Sequence, residues 1–259
     1  MTETFPASRL WRDIPDLLFP RQCEGCGVDL AGNGTLFCWD CLAALPYLKP
    51  PFCARCGDFV AGDVPGDFVC ASCARRAPAF DLARSAFRFD GALAEAVRRL
   101  KYRAGVWIAP GLGAFLAETW RAVPEALRGR VDFVTPVPLA PERSRERGYN
   151  QAGLLAGALA RRLRLPCRGV LRRTRGTKTQ TKLSAQERRQ NVRGAFAVRA
   201  PYRAGNRLWS RWFPPVEGKR ILLVDDVITT GATVDECARA LKAAGAEAVY
   251  ALSVARGNG

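Results

Sequence analysis

Eight of the ten cysteines in this 259-residue chain fall as four Cys-x-x-Cys pairs: Cys23/Cys26, Cys38/Cys41, Cys53/Cys56 and Cys70/Cys73. Two residues between thiols let one tight turn aim both sulfurs at a single ion. Two such turns complete the tetrahedron that structural Zn2+ takes. Gly27 and Gly57 follow the first knuckle of each half. A residue free to adopt positive φ there lets the chain turn, and its amide is expected to point at sulfur. Sequential grouping (23/26/38/41 and 53/56/70/73) gives two ribbons with short loops, although a crossed grouping has the same spacing. A closed set of four thiolates leaves no open coordination position, so the expected role is structural or docking. A disulfide framework is the competing reading, and an intracellular setting disfavours it.

The second run with chemistry in it is Ile221-Leu-Leu-Val-Asp-Asp-Val-Ile-Thr-Thr-Gly-Ala-Thr233. A short apolar strand is expected to deliver Asp225 and Asp226 to the carboxyl edge of a sheet, where open α/β folds bind ligands. Thr229, Thr230, Gly231, Ala232 and Thr233 then form a turn into a helix. Hydroxyls, successive backbone N–H groups and the helix N-terminus can surround a phosphate there. Paired acids beside a phosphate nest would repel the ligand unless it also brought hydroxyls or a cation. 5-Phosphoribosyl 1-pyrophosphate (PRPP) brings both, because its 2′- and 3′-hydroxyls can donate to the acids and Mg2+ rides on its pyrophosphate. A phosphoacceptor would want a lone Asp, and a Walker B strand an upstream G-x-x-x-x-G-K-[ST], which the sequence lacks.

Around these residues the pattern of apolar positions predicts their supports. Residues 23–73 are rich in Gly and Pro turns. Beyond about Phe80, strands are expected at Ala83–Phe89, Val131–Val137, Ile221–Val224 and Ala248–Val254. Helices are expected at Ala92–Tyr102, Ala109–Trp120, Gln151–Leu165 and Val234–Ala244, the last stopped by Gly245. Alternating strands and helices indicate βαβ units and a mostly parallel sheet. Cys237 falls on an apolar stripe with Val234, Ala238 and Leu241 and reads as core; Cys167 stands alone. The expected organisation is therefore a double zinc-ribbon domain over 1–78 and an α/β, Rossmann-like domain over 79–259.

Composition narrows the chemistry further. There is no histidine, which removes His triads, His metal ligands and His general bases. The formal net charge of +16 suits phosphate-bearing ligands and makes nucleic acid a live partner. No apolar run approaches the roughly 20 residues that cross a bilayer, and no basic-then-apolar leader opens the chain. No membrane insertion is expected, and the expected location is the cytoplasm.

Taken together, the chain resembles the ComF family of competence-associated, phosphoribosyltransferase-like proteins over nearly its whole length. The resemblance rests on the cysteine pairs, Leu100-Lys-Tyr102, Pro136-Val-Pro-Leu139, the Arg143–Gln151 segment (Arg-Ser-Arg-Glu-Arg-Gly-Tyr-Asn-Gln), Gln180 with Leu183-Ser184, Arg188–Asn191 and the Asp225–Thr233 loop. The loop marks the type I phosphoribosyltransferase superfamily; the Arg-Gly-Tyr-Asn-Gln segment and the cysteines narrow it. The stretch Ala200–Val216, with Tyr202, Trp209, Trp212 and Phe213, is longer than the family leads one to expect.

The resemblance implies a set of roles. Asp225 and Asp226, the catalytic pair, hold the ribose hydroxyls, and Thr229–Thr233 with Val227 hold the 5′-phosphate. The Pro136–Leu139 turn approaches the pyrophosphate, with Arg143 and Arg147 just beyond it and Lys101 nearby. If the protein is an enzyme, it transfers a pentosyl group from Mg2+-PRPP to an acceptor that no residue identifies. A second reading is a binding module that senses PRPP and contacts single-stranded DNA through Arg168–Arg193, with Arg172, Arg173, Arg175, Lys178, Lys182, Arg188 and Arg189, while Trp209 and Trp212 stack on bases. A third makes the zinc ribbons a docking module for a DNA-uptake partner protein.

Overall fold

The computed structural model describes residues 22–30, 35–59, 68–102, 105–176, 184–204 and 213–257. Its strands are β1 (Leu82–Arg88), β2 (Phe133–Pro136), β3 (Leu171–Arg173), β4 (Phe196–Val198), β5 (Arg220–Ile228) and β6 (Ala248–Arg256). The helices of the N-terminal half are α1 (Trp39–Ala43), α2 (Ala71–Arg75), α3 (Gly91–Tyr102), α4 (Ala109–Arg121) and α5 (Glu125–Arg128). Those that follow are α6 (Pro141–Arg147), α7 (Gln151–Leu163), α8 (Ala185–Val192) and α9 (Ala232–Ala243).

Four strands form a fully parallel sheet in the order β1-β6-β5-β2, with Leu82 opposite Tyr250, Leu223 opposite Ala251 and Thr135 opposite Leu223. The fold is the expected α/β class with a parallel central sheet. A parallel sheet needs both faces covered, and side chains alternate across it. Leu222 and Val224 accordingly enter one core cluster, with Leu100, Leu112, Leu155 and Leu159 from α3, α4 and α7. Ile221 and Leu223 enter the other, with Cys237, Ala238 and Leu241 of α9 and with Phe196 and Val198 of β4. Cys237 is fully buried there, a core residue as expected.

The cysteine-rich segments pack on the same sheet, one on each face. Cys23, Phe37 and Leu45 join the cluster of α3, α4 and α7, whereas Cys53, Cys56, Cys73 and Phe80 join the cluster of α9. Between them the chain runs along the free edge of β1. Arg88 N–H donates to the Pro46 carbonyl, Leu48 N–H to that of Ala86, and Ala83 N–H to that of Arg55. Backbone groups that would otherwise line an open edge are thus paired.

Several elements differ from expectation. The strand expected at Ile221–Val224 runs nine residues, to Ile228, because Val227 and Ile228 continue its apolar alternation past the acid pair. The helix expected to reach Leu165 stops at Leu163, where Arg164 turns left-handed at φ 55°. Helix α9 starts at Ala232, two residues early. The antiparallel β3–β4 pair and α8 were not anticipated. Three-residue strands leave too little periodicity to read. Helix α8 has no apolar stripe, although a capping box between Ser184 and Glu187 does announce it.

Candidate phosphate cleft and cysteine sites

Strand β5 carries Asp225 and Asp226 to the carboxyl end of the sheet, and residues 229–231 then turn the chain into α9. Gly231 makes the turn possible: it caps α9 at φ 75°, which a side chain rarely tolerates. The Thr230 hydroxyl accepts from the Ala232 N–H at 3.4 Å. A cleft of about 540 Å3 opens above this loop, and all of Asp225–Thr233 lines it. Lys101, Arg143 and Arg147 line it too, so every residue expected to touch PRPP faces one cavity.

The opposite wall is built by the Arg143–Gln151 segment. Gly148 ends α6 in the left-handed region. Tyr149 then anchors the segment by donating its hydroxyl to the Leu100 carbonyl at 2.6 Å. Asn150 does two jobs: its Oδ1 caps α7 at the Ala152 N–H, and its Nδ2 donates to the Val137 carbonyl at 3.0 Å. That second bond fixes the Pro136–Leu139 turn against α7. Arg147 lies over the Tyr102 ring at 4.6 Å and donates to the Gln151 Oε1 at 3.0 Å. Its fork is pre-organised rather than a free surface charge.

The cleft is rich in positive charge, some of it set against the acid pair itself. Among the described residues lining it, six are basic and two are acidic, the acids being Asp225 and Asp226. Lys101 Nζ lies 3.0 Å from Asp226 Oδ1. Among the described residues, none hydrogen-bonds Oδ2 of Asp226, a buried acceptor that a ligand hydroxyl or a cation could use. Removal from water, with the Asp226 charge next in importance, pushes the Asp225 carboxyl up to about 7. The Asp226 N–H, Lys101 and Arg173 act in the other direction. Two carboxylates side by side cannot both ionise cheaply without a cation or a donor between them. Arg173 and Arg188 also line the cleft. In the sequence they read only as cations of a basic stretch; nothing in their spacing shows that β3 and α8 fold back beside β5. Lys178, Lys182, Gln180, Leu183, Trp209 and Trp212 lie outside the described residues.

The eight paired cysteines gather as 23/26/38/41 and 53/56/70/73, the sequential grouping, with the thiols of each set within 4.8 Å of one another. The Cys26–Cys38 and Cys56–Cys70 Sγ separations are each 3.7 Å. Tetrahedral zinc with bonds of about 2.3 Å requires sulfurs roughly 3.8 Å apart, so the quartets fit the ion. One expectation needs correcting. The amides of Gly27 and Gly57 donate to the carbonyls of Cys23 and Cys53, not to sulfur. Positive φ turns those N–H groups inward to close the knuckle, at 78° and 68°. The sulfurs instead accept from Gly25, Cys38 and Cys70 N–H groups at 3.3–3.4 Å. Burial opposes ionisation of Cys23 and Cys53, yet neighbouring N–H groups bring them down to about 6 and about 7. Hydrogen bonds with Cys38 and Cys23 push Cys41 up to about 12, and burial pushes Cys56 up to about 11. Cys23 and Cys53 therefore ionise easily, whereas Cys41 and Cys56 need a dication beside them to follow.

Comparison with known proteins finds relatives for both parts. Residues 14–74 match the double zinc ribbon domain family and residues 150–259 the phosphoribosyl transferase domain family. Competence protein F of Haemophilus influenzae is 31% identical over 245 residues, spanning 91% of this chain and 95% of that protein. The chain belongs to the ComF family. DNA utilization protein YhgH of Escherichia coli K12 is 30% identical, spanning 93% of this chain and 99% of its own. Competence protein ComFC of Bacillus subtilis is 26% identical, over 79% and 77%. Among the described residues of this ComF-family chain, no helix is long and apolar enough to cross a membrane.

Proposed function

We propose that this ComF-family protein binds PRPP with Mg2+ in the 540 Å3 cleft and transfers its phosphoribosyl group to a nucleophilic acceptor. The observation that carries the reading is the make-up of that cleft: an acid pair and a threonine turn line it together with six cations. A singly phosphorylated sugar would not need so many cations; a ligand with phosphate at one end and pyrophosphate at the other would.

On this reading Thr229–Thr233 hold the 5′-phosphate, with N–H groups and the N-terminus of α9 directed at it. Asp225 and Asp226 accept from the ribose hydroxyls, the buried Oδ2 of Asp226 among the acceptors. Lys101 leaves its ion pair with Asp226 and, with Arg143 and Arg147, takes up the pyrophosphate. The bond from the anomeric carbon to pyrophosphate oxygen breaks, the acceptor's lone pair forms the new bond, and the acceptor gives up a proton. Mg2+ bound with the substrate neutralises the leaving group. The side chains contribute position and charge rather than covalent chemistry.

The zinc ribbons on this reading extend to about residue 78, the phosphoribosyl domain occupies 79–259, and the protein works in the cytoplasm. Calorimetric titration of Mg2+-PRPP tests the central claim. Saturable binding that disappears in an Asp225→Ala/Asp226→Ala protein supports it; no binding by zinc-loaded, folded wild type refutes it. Pyrophosphate release with candidate bases and amines then tests turnover.

A second reading is single-stranded DNA binding or capture of a DNA-uptake partner. It is favoured by the names of the relatives, which concern competence and DNA utilization. Trp39 and Trp107 also lie exposed beside the first ribbon, at 85% and 54%. Stacking of a base on such a ring is worth about 1–3 kcal/mol. Loss of oligonucleotide affinity in Trp39→Ala, with a steep dependence on salt in the wild type, supports this reading; salt-insensitive binding counts against it.

A further inference from the structure

Behind the phosphate loop lies a second hollow of about 210 Å3, formed on one side by Thr229–Ala232 and on the other by Cys56, Cys70 and Cys73. The second quartet is therefore the back wall of the loop. No cysteine of the first quartet lines either this hollow or the cleft.

Arg256 crosses the gap. It stands opposite Ile228, the last residue of β5, and the next residue's N–H donates to the Ile228 carbonyl at 2.9 Å. Its guanidinium is buried, with Nη1 donating to the Cys56 carbonyl at 3.0 Å, Nη2 at 3.8 Å from Cys56 Sγ and Nε at 3.4 Å from Asp58. Two further links brace the same interface. Ala79 N–H donates to Asp235 Oδ1 in the first turn of α9 at 2.6 Å, and Arg189 of α8 reaches Ser72 Oγ at 3.3 Å.

A buried guanidinium needs a counter-charge. Asp58 is half exposed and supplies part of it. A zinc-loaded set of four thiolates carries a net charge of about −2 and supplies the rest. When the ion leaves, nothing ties Cys56 to the other three sulfurs, so the carbonyl and sulfur that hold the arginine beside the loop lose their fixed place.

We infer that Arg256 is a positioning residue through which zinc in the second quartet holds the phosphate loop in its binding shape, so that zinc there and PRPP in the cleft favour one another. This rests on the PRPP reading above. Coupling of this kind is reciprocal: whatever zinc adds to PRPP affinity, PRPP adds to zinc affinity.

The test follows zinc transfer from the full-length, zinc-loaded protein to a chromophoric chelator, with and without saturating Mg2+-PRPP, alongside calorimetry. The expected result is two phases, of which one slows about tenfold with PRPP. Arg256→Gln removes that dependence and weakens PRPP binding by a similar factor, and Arg256→Lys restores part of both. Arg99→Gln, which breaks the corresponding contact of the first ribbon with Glu24, leaves the dependence intact. Zinc release that ignores PRPP in a wild type shown by calorimetry to bind it overturns the inference while leaving the PRPP reading standing. A wild type that does not bind PRPP overturns both. Should Arg256→Gln fail to fold, the wild-type release experiment still decides.

Discussion

The two cysteine quartets have the same ligand spacing in the sequence, yet they sit in different surroundings. In the first, Cys26 is exposed and the neighbours are Glu24, Arg99 and Trp107 near the start of the helical layer. In the second, Cys53, Cys56 and Cys73 are all buried, and Gly57 lies against the backbone of β1. A repeated motif does not imply a repeated role. One ribbon rests on a helical face, whereas the other lines the hollow behind the Thr229–Ala232 loop.

The largest test of this contrast compares ligand substitutions. Cys53→Ser is expected to lose one zinc equivalent and cooperative folding together, since structural zinc contributes on the order of 10 kcal/mol. Cys26→Ser should lose one equivalent but keep the sheet folded, with a midpoint lowered by several degrees; metal analysis beside calorimetric melting reads both. Equal effects would erase the distinction. Glycine substitutions give a smaller and cleaner comparison. A Cβ at Gly57 would lie 2.5 Å from the Ala83 carbonyl oxygen, whereas one at Gly27 meets nothing within 4 Å. Both positions have positive φ, so Gly27→Ala should cost about 1 kcal/mol in urea unfolding, and Gly57→Ala 2–3 kcal/mol or more.

The cleft in front of the second ribbon adds a dependence on pH. With its carboxyl raised to about 7, Asp225 favours folding while protonated, and that contribution is lost as pH rises through 7. The ligand-free protein should therefore melt lower at pH 8 than at pH 6, and Asp225→Asn should flatten the difference. Binding runs the other way, because ribose hydroxyls need an ionised acceptor. Mg2+-PRPP affinity should fall roughly fivefold from pH 7 to pH 6, a difference of about 1 kcal/mol, and more than in any variant lacking that titration. The smallest effect belongs to the first ribbon. Glu24→Gln removes a contact to a partly exposed arginine and should change stability by no more than about 1 kcal/mol in chemical denaturation.

Much of this arrangement was legible beforehand, for reasons that can be named. The acid pair and threonine turn are contiguous, so one local stretch of chain specifies the site's geometry. The thiols come in pairs whose spacing itself encodes a knuckle. What stayed hidden depends on contacts across long sequence distances. Arg173 and Arg188 enter the cleft only because a three-residue strand and an eight-residue polar helix fold over it. Neither element has an apolar rhythm strong enough to announce itself. Arg256 carried no signal at all, since its partners Cys56 and Asp58 lie some two hundred positions earlier. The sulfur-facing amides were misassigned because spacing locates a turn without saying which of its N–H groups faces inward.

The position of β6 between β1 and β5 also has a consequence in time. Ser85 and Ser253 pair across the sheet although 168 positions separate them. During synthesis the ribbons and β1 emerge first and have no central strand to join until β6 has left the ribosome. Through that interval the apolar faces around the cysteines must avoid aggregation without the sheet that later buries them. Early zinc capture would give the first third of the chain a defined shape while it waits.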